Sequence, residues 1–263
     1  HLCRVVDFSD TGSSAMVPSL GTANGGNAGG FSLLPAMYWA YSVTPSVSVG
    51  LGISPTFGNR TEYDFDFVGR NSGYFAEIAQ ININPSVAWK INEQVSVGGG
   101  INFAHNETHF KQGMTLGALA STTNSLDVKG DAWAVGYNLG AMFQITPTTR
   151  LGLTYRSELK FDLEGQQTAS ISAVNGVTGT QEIKTVLKTP ASASLALSQK
   201  VGDRLELLAD YTWTNWSVVD VIQLQNKTTG SNLSALSYNF KDTWRIGVGG
   251  NYQFNKDLKL RFG

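Results

Sequence analysis

Cysteine is nearly absent from this chain, and its scarcity excludes several classes of protein at once. Cys3 is the one cysteine among 263 residues, so the chain forms no internal disulfide framework and no cysteine-based zinc site. Charged residues make up 15% of the chain, against about 25% in an average soluble domain. The formal net charge is −1, and without a basic excess we predict no nucleic-acid partner.

Long uninterrupted apolar runs are also lacking. No stretch approaches the roughly 18 apolar residues that a transmembrane helix needs. A transmembrane β-strand places an apolar residue at every second position instead, so its hydropathy averages near zero. The mean hydropathy of −0.10, together with 29 glycines and 11% aromatic residues, fits that pattern.

Short turns divide the chain into hairpins at nearly even spacing. Each turn lies between segments in which apolar residues alternate with small or polar ones, which is the pattern of strands with two different faces. Around the second turn, for example, Ile83, Val87 and Trp89 alternate with Asn84 and Lys90. We predict about ten strands and the tail of one more, each about 10 residues long, which suits a tilted membrane-spanning strand. The turns lie at residues 43–46, 91–94, 145–148, 201–204 and 254–257.

The opposite ends of the hairpins carry long links, and all of them lie on one side. Short turns on one side and long loops on the other are typical of a bacterial outer-membrane barrel. Aromatic residues collect near both ends of the strands, as in the interfacial girdles of such barrels. A soluble β-sandwich is the alternative, but its outer face would have to expose whole strands of glycine, serine and asparagine. The predicted long loops cover residues 10–33, 54–79, 105–130, 165–184 and 226–240.

Several strings in the chain resemble the FadL/TodX hydrocarbon-transport family in the same order. They are residues 84–90 (NPSVAWK), 151–157 (LGLTYRS), 211–217 (YTWTNWS) and 240–245 (FKDTWR). Residues 55–58 (PTFG), followed by 61–63 (TEY), resemble the kinked third strand of that family. The resemblance covers nearly the whole chain.

The resemblance implies an all-β fold, an antiparallel transmembrane β-barrel that has 14 strands in the family, with a small N-terminal hatch domain in its lumen. We interpret residues 1–263 as a partial barrel domain that lacks the hatch and the final three strands. The implied function is an outer-membrane channel for long-chain fatty acids or other hydrophobic small molecules. We expect a bacterial outer-membrane location, contact with outer-membrane lipid, a monomer, no cofactor, no metal and no enzymatic activity.

An apolar capture groove in the outer loops is the first predicted site. Four residues of the 105–130 loop have spacings compatible with a short amphipathic helix. The resemblance pairs this loop with the 165–184 loop, and the two loops packing on each other is the alternative. The predicted groove residues are Phe110, Met114, Leu116, Leu119, Ile171 and Val174.

Basic groups for the carboxylate and a lateral exit complete the predicted site. We nominate Lys111, Arg156 and Lys160 for the carboxylate, with Arg156 and Lys160 expected to point inward. For Arg156, an internal ladder with Glu158 and Asp162 is the favoured alternative. Proline cannot donate to a β-ladder. Proline and the nearby glycines fit a kink and an ordinary strand end about equally, and the resemblance favours the kink, so the exit is assigned to Gly52, Pro55, Phe57 and Gly58.

Other functions remain open at this point. A general porin would need a wide polar lumen, an outer-membrane lipase would need a nucleophile with a histidine base, and a surface-recognition barrel would use the same long loops. His105 and His109 are four residues apart, but a pair without a third ligand indicates a metal site only weakly.

Overall fold

A computed structural model describes Leu2–Cys3 and residues 24–114, 124–171 and 177–263, and these are almost entirely β-strand. Strands β1 (Leu2–Cys3) and β2 (Phe31–Ser32) form a small antiparallel pair. Among the described residues, fourteen further strands form one antiparallel sheet, and a 3-10 turn lies at Trp216–Val218. The strands of the sheet are β3 (Met37–Ser42), β4 (Val47–Glu62), β5 (Phe75–Lys90), β6 (Val95–Gly113), β7 (Ser125–Thr146), β8 (Thr149–Arg156), β9 (Leu159–Ile171), β10 (Val177–Thr189), β11 (Ser192–Val201), β12 (Leu205–Thr214), β13 (Val221–Asn226), β14 (Asn232–Ser237), β15 (Thr243–Gln253) and β16 (Lys259–Phe262).

Several of these strands are two halves of one long span. Strand β7 pairs with β8 at one end and with β9 at the other, and β11 and β10 follow β8 and β9 in the same way. Strands β12 and β13 continue each other, as do β14 and β15. The described residues therefore form about ten successive spans, as predicted. Among them, β3 and β16 are the outermost and pair on one side only.

The five short turns lie where the sequence predicts them, and asparagine explains two of them. The Asn92 side-chain oxygen accepts hydrogen bonds from the N–H groups of Gln94 and Val95, both at 2.8 Å. Asn255 does the same for Asp257 and Leu258, at 2.9 and 2.8 Å. Such side-chain bonds reproduce a backbone turn locally, so these tight connections do not depend on distant contacts.

The predicted long loops are largely wrong, because the strands continue through them. Strand β6 has 19 residues and β7 has 22, whereas about 9–11 residues suffice to cross a bilayer. The added length is polar and is joined by cross-strand side-chain hydrogen bonds, such as His105 with Asp131 at 3.2 Å and His109 with Asp127 at 3.0 Å. The sheet therefore extends beyond the apolar layer, and residue polarity alone was a poor guide to where pairing stops. Most of the 10–33 segment lies outside the described residues.

The two faces of the sheet carry the side chains that the alternation predicts. Leu153 pairs with Leu195, Leu195 with Tyr211 and Tyr211 with Ile246, and cross-strand partners share a face. We call this the outer face, and it also carries Val87 and Leu207, 50% and 43% exposed. On the opposite, inner face, Asn84 donates to the Asn138 side chain at 2.7 Å, and Asn138 pairs with Arg156. Arg245 is also on this face, 3.1 Å from Asp210.

Aromatic residues on the outer face form the two expected bands. Near the short turns, the Trp39 and Tyr41 rings are stacked at 6.1 Å, and Trp89 pairs with Val47 beside them. Near the other end, Trp213 pairs with Trp244. Such rings sit at the boundary between lipid and water because one part is apolar and the other polar. No helix in the described part of the chain is long and apolar enough to cross a membrane.

One extra residue between β8 and β9 exchanges the two faces. Asn138 pairs with Arg156 and Asp131 with Glu164, so seven steps along β7 (138 to 131) match eight along β8 and β9 (156 to 164). A one-residue shift moves every following side chain to the other face. The prediction that Lys160 points inward is therefore wrong.

The same shift turns an apolar row inward. Phe161 is 0% exposed, and it packs in one cluster with residues from β6, β7 and β10, whereas Lys160 and Asp162 lie outside and pair with each other at 2.9 Å. Apolar side chains thus line the inside of the upper sheet, where uninterrupted alternation would have put charges. The cluster consists of Ala104, Ala134, Leu159, Phe161, Leu163 and Leu187.

Neighbouring residues on β8 offer a direct test of the two faces. We expect Leu153→Lys to lower the free energy of unfolding by about 2–4 kcal/mol, because it places a charge on the lipid-facing side of the apolar band. Thr154→Lys, one residue along on the inner face, should lower it by less than about 1 kcal/mol, the cost expected where a charge stays hydrated. Urea unfolding in lipid vesicles measures both, and equal losses would contradict the assignment of faces.

Candidate functional site

Strand β4 contains a β-bulge at the position of the predicted kink. Pro55 pairs with Ile81 and Phe57 with Gln80, so Thr56 is left without a partner on β5. The Gln80 side-chain nitrogen donates to the Thr56 hydroxyl at 2.7 Å. Proline supplies no N–H to a ladder, so a bulge is the site in a strand that accommodates it. Pairing with β5 resumes directly afterwards, so the kink leaves that side of β4 closed.

The other edge of β4 is open. Strand β3 pairs with β4 over a short stretch only, which runs from the pair of Ser42 with Ser48 to the pair of Met37 with Ile53. The next backbone bonds on this edge are from Glu62 N–H to the Ala28 carbonyl, 3.2 Å, and from Asp64 N–H to the Gly25 carbonyl, 3.0 Å. Within the described residues, positions 54–61 have no strand beside them on this side. We call this stretch the β3–β4 gap.

The gap begins at the level of the upper aromatic band. Pro55, Ile81, His105 and Trp133 form one continuous cross-strand row on the outer face. Exposed backbone is not tolerated in lipid, but it is tolerated where it lines a cavity. The position and the open edge together describe an interruption of the sheet at the boundary between lipid and the outer side.

A crevice of about 740 Å³ occupies the gap. Its lining includes Pro55 and Ile81, whose side chains are on the outer face, and Phe57 and Gln80, whose side chains are on the inner face. Polar and charged residues of β4, β5 and β6 also line it, namely Asn59, Arg60, Glu62, Glu77, His105 and Glu107. The segment before β3 contributes small or apolar residues. They are Ala28, Gly29, Gly30, Leu33, Leu34 and Pro35.

The bulge also directs Phe57 into the interior. Thr56 is the extra residue of the bulge in β4, so the next residue, Phe57, lies on the same inner face as Gln80. There its ring lies 6.4 Å from the Trp216 ring, in the 3-10 turn between β12 and β13. Trp216 in turn contacts Phe240 edge to face at 5.9 Å. An aromatic group thus extends across the interior from the gap to the opposite part of the sheet.

Arg156 lies on the wall of an interior cavity of about 520 Å³. Its cross-strand neighbours are Asn138 and Ser192, and among the described residues no carboxylate lies within 4.0 Å of it. The proposed ladder does not include it, because Glu158 pairs with Lys188 at 3.4 Å and Asp162 with Lys160. Arg156 is therefore an inward cation without an ionic partner in the described part of the chain.

The predicted groove residues are only partly brought together. Phe110 lies in β6, and Ile171 ends β9. Both are on strands rather than in the predicted loops or helix. Phe110 pairs with Val128 on β7. Ile171 lies two residues after Ala169, the partner of Leu126, and so has the same orientation as Ala169. Phe110 and Ile171 therefore share the inner face near the upper rim. Met114 directly follows β6, while Leu116, Leu119 and Val174 lie outside the described residues.

Lys111 is also a strand residue, and it is not poised for a ligand. It lies on the outer face of β6, 4.0 Å from Asp127 and with its ammonium 5.3 Å from the centre of the Phe75 ring. It lies two residues before β6 ends at Gly113. Of the three predicted carboxylate groups, Arg156 alone faces the interior.

Arg70 is a basic residue that the sequence analysis missed. It lies between β4 and β5 in the stretch 63–74, and its side chain has 0% exposure. Burial lowers the pKa of its guanidinium, while electrostatic interaction with Tyr74 and Asp66 acts in the opposite direction and raises it. Burial also raises the pKa of Tyr74. The signal in the sequence that could have revealed it is a single arginine in a stretch that also contains Tyr63, Phe65 and Phe67. In the described part of the chain, no group of three or more histidine, cysteine or acidic residues is placed to hold a metal ion.

Comparison with known proteins decides the family. The family model described as outer membrane protein transport protein (OMPP1/FadL/TodX) matches residues 4–263. The chain belongs to this family. Its outer-membrane location and antiparallel barrel fold follow, and the prediction that it is not an enzyme is confirmed, because the family consists of transport proteins.

Individual members of the OMPP1/FadL/TodX family give the same picture. An outer-membrane protein of Neisseria meningitidis serogroup B is 30% identical over 274 residues, covering 87% of this chain and 58% of that protein. The long-chain fatty acid transport protein of Escherichia coli is 24% identical, covering 92% of this chain and 61% of that protein. The chain thus spans about three fifths of the length of these relatives.

Two solved structures show the same fold. A FadL homologue from Pseudomonas aeruginosa superimposes with a TM-score of 0.81 at 24% identity, covering 92% of this chain and 61% of that one. The toluene transporter TodX from Pseudomonas putida gives a TM-score of 0.70 at 17% identity, covering 89% and 68%. These likenesses concern the fold.

Proposed function

We propose that this chain is part of an outer-membrane channel that takes up long-chain fatty acids or related hydrophobic molecules and releases them sideways through the β3–β4 gap. The observation that carries the proposal is the crevice, which is lined from both faces of the sheet at an unpaired stretch of β4. Relatives named for fatty-acid and toluene transport support the cargo class.

A sideways exit suits an apolar cargo for an energetic reason. Burying one CH₂ group is worth about 0.8 kcal/mol, so a tail of about 16 carbons gains up to about 12 kcal/mol on leaving water. A charge-assisted hydrogen bond to the head group gives about 1.5–3 kcal/mol. The tail therefore dominates, and a route from the interior directly into lipid never exposes it to water.

The interior residues have separate roles in this proposal. Phe110 and Ile171 offer apolar surface near the upper rim, where the cargo enters. Arg156 orients the carboxylate inside, since no ionic partner occupies it in the described residues. Phe57 and Trp216 line the approach to the gap with aromatic surface, over which an alkyl chain can slide without losing apolar contact.

Uptake measurements on cells that lack their own transporter of this type test the proposal. Cells producing the intact protein should take up a radiolabelled long-chain fatty acid severalfold faster than cells with an empty vector. The same cells should show no gain for a hydrophilic oligosaccharide of similar mass. A gain for the oligosaccharide would indicate a general porin, and no gain for either solute would favour a surface-recognition barrel.

A further inference from the structure

Arg70 is a buried cation that makes no ion pair with the described residues, and Asp66 acts on it only from beyond 4.0 Å. Its side chain has 0% exposure, and among the described residues no carboxylate oxygen lies within 4.0 Å of it. By contrast, Arg60 on the neighbouring strand is exposed and contacts two acids, Glu62 at 2.7 Å and Glu77 at 3.5 Å. A buried charge without a partner is unfavourable, so Arg70 has unused capacity to bind an anion.

The donor atoms of Arg70 show the same deficit. One nitrogen, Nη2, donates to the Asn124 carbonyl at 3.0 Å. The other two, Nε and Nη1, are buried and have no hydrogen-bond partner. Together they carry three N–H donors, and a carboxylate oxygen accepts strong, charge-assisted bonds from a guanidinium. Either unused nitrogen can therefore donate to an oxygen of a monocarboxylate.

The surroundings of these donors are apolar and lie next to the upper rim. The Phe65 ring covers the guanidinium at 4.0 Å and is itself 43% exposed, so it separates the cation from solvent. Phe67 and Val68, both buried, come from the same stretch. The Asn124 carbonyl that binds Arg70 also accepts the N–H of Met114 at 3.1 Å, which links the cation to the end of β6.

We propose that Arg70 is a second anion-binding site, at the outer end of the protein, which binds the carboxylate of an anionic amphiphile when the Phe65 side chain swings aside. This inference rests on the proposed function and narrows its cargo to molecules that carry a carboxylate. A neutral hydrocarbon would leave the Arg70 donors unbound. Arg156 then receives the same head group further inside.

Binding measurements on the intact protein in detergent test this site with two probes of equal chain length, a long-chain fatty acid and the corresponding fatty alcohol. We expect Arg70→Met to weaken fatty-acid binding about 10- to 100-fold, as the loss of charge-assisted bonds predicts, and to leave alcohol binding unchanged. Arg70→Lys should restore part of the affinity because it keeps the charge. Lys227→Met is the matched control, because Lys227 is exposed, pairs with Glu164 at 2.7 Å and lies outside the β3–β4 gap, and it should leave both affinities within about twofold, as expected for an exposed ion pair.

Each other outcome has a definite meaning. If Arg70→Met and Arg70→Lys lower fatty-acid and alcohol binding equally, Arg70 has a structural role through Asn124 and the inference is wrong. If neither variant changes fatty-acid binding, the inference is also wrong while the proposed function stands. If the unsubstituted protein binds neither probe, the proposed function itself is wrong. Resistance of the folded barrel to unfolding on an unheated gel shows whether each variant folds.

Discussion

Replacing Gly30 by tryptophan should slow uptake of a hydrophobic cargo by about tenfold or more, a change that requires only about 1.4 kcal/mol of added barrier. Gly30 borders the crevice in the β3–β4 gap. A Cβ atom added there meets no other atom within 4 Å. The indole therefore enters the crevice without displacing the sheet, and it obstructs the route between the interior and the lipid.

Gly179 provides the matched control for this substitution. It also has no atom within 4 Å of an added Cβ, but it lies in β10, away from the crevice. Gly179→Trp should leave the rate of radiolabelled fatty-acid uptake unchanged at equal protein levels. A normal rate in Gly30→Trp, or an equal loss in both variants, would show that cargo does not pass through the gap.

A change on β4 itself tests the same route from the other border. Pro55→Val combined with Gly58→Thr restores an N–H and adds side-chain cover at the bulge, so continuous pairing becomes more favourable. At position 58 the new side chain meets only the Ile78 carbonyl, at 3.3 Å. Transport should slow while binding of fatty acid to the outer end stays nearly intact. Transport at the normal rate would favour a path down through the barrel.

Replacing Phe161 by alanine should lower the free energy of unfolding by about 3–5 kcal/mol, the usual loss for a phenylalanine in a packed core. Phe161 has 0% exposure and lies in the inner cluster between Leu159 and Leu163. Alanine leaves a cavity that the neighbouring strands cannot fill, because both are held by continuous pairing. Urea unfolding in lipid vesicles measures the loss.

Substitutions at Lys160 and Val186 test whether Phe161 faces the interior, as observed, or Lys160 does, as simple alternation predicts. Lys160→Ala and Val186→Ala, both on exposed side chains of the opposite face, should each change stability by less than about 0.5–1 kcal/mol. If Lys160 faced the interior instead, Lys160→Ala would lower the free energy of unfolding and Phe161→Ala would not. A large loss for Lys160→Ala with a small one for Phe161→Ala would disprove the extra residue between β8 and β9.

Much of the architecture could be predicted because its signals are local. Alternation of apolar and polar residues depends on neighbours two positions apart, and turns such as the one around Asn92 are formed by their own side chains. The outward positions of Val87 and Ile246 therefore needed no knowledge of the remaining chain. For the kink at Pro55 the missing N–H of proline left an ordinary strand end equally open, and the family resemblance favoured the kink.

The errors came where one strand responds to another. The face of Lys160 depends on an extra residue that is visible only against the register of β7. The outer parts of β6 and β7 pair with each other residue by residue, with side-chain hydrogen bonds such as that between His109 and Asp127 at 3.0 Å, so polar residues taken for a loop are paired strand.

The sequence by itself determined that this chain forms antiparallel membrane strands joined by short turns, because side-chain alternation and turn chemistry act over a few residues. Tertiary structure alone decided which side of each strand faces inward beyond a bulge, where β4 loses its partner, and that Arg70 is buried without an ion pair to the described residues. These properties arise from pairing and burial between segments that are distant in the chain. No local pattern can specify them, because each depends on what the opposite segment supplies.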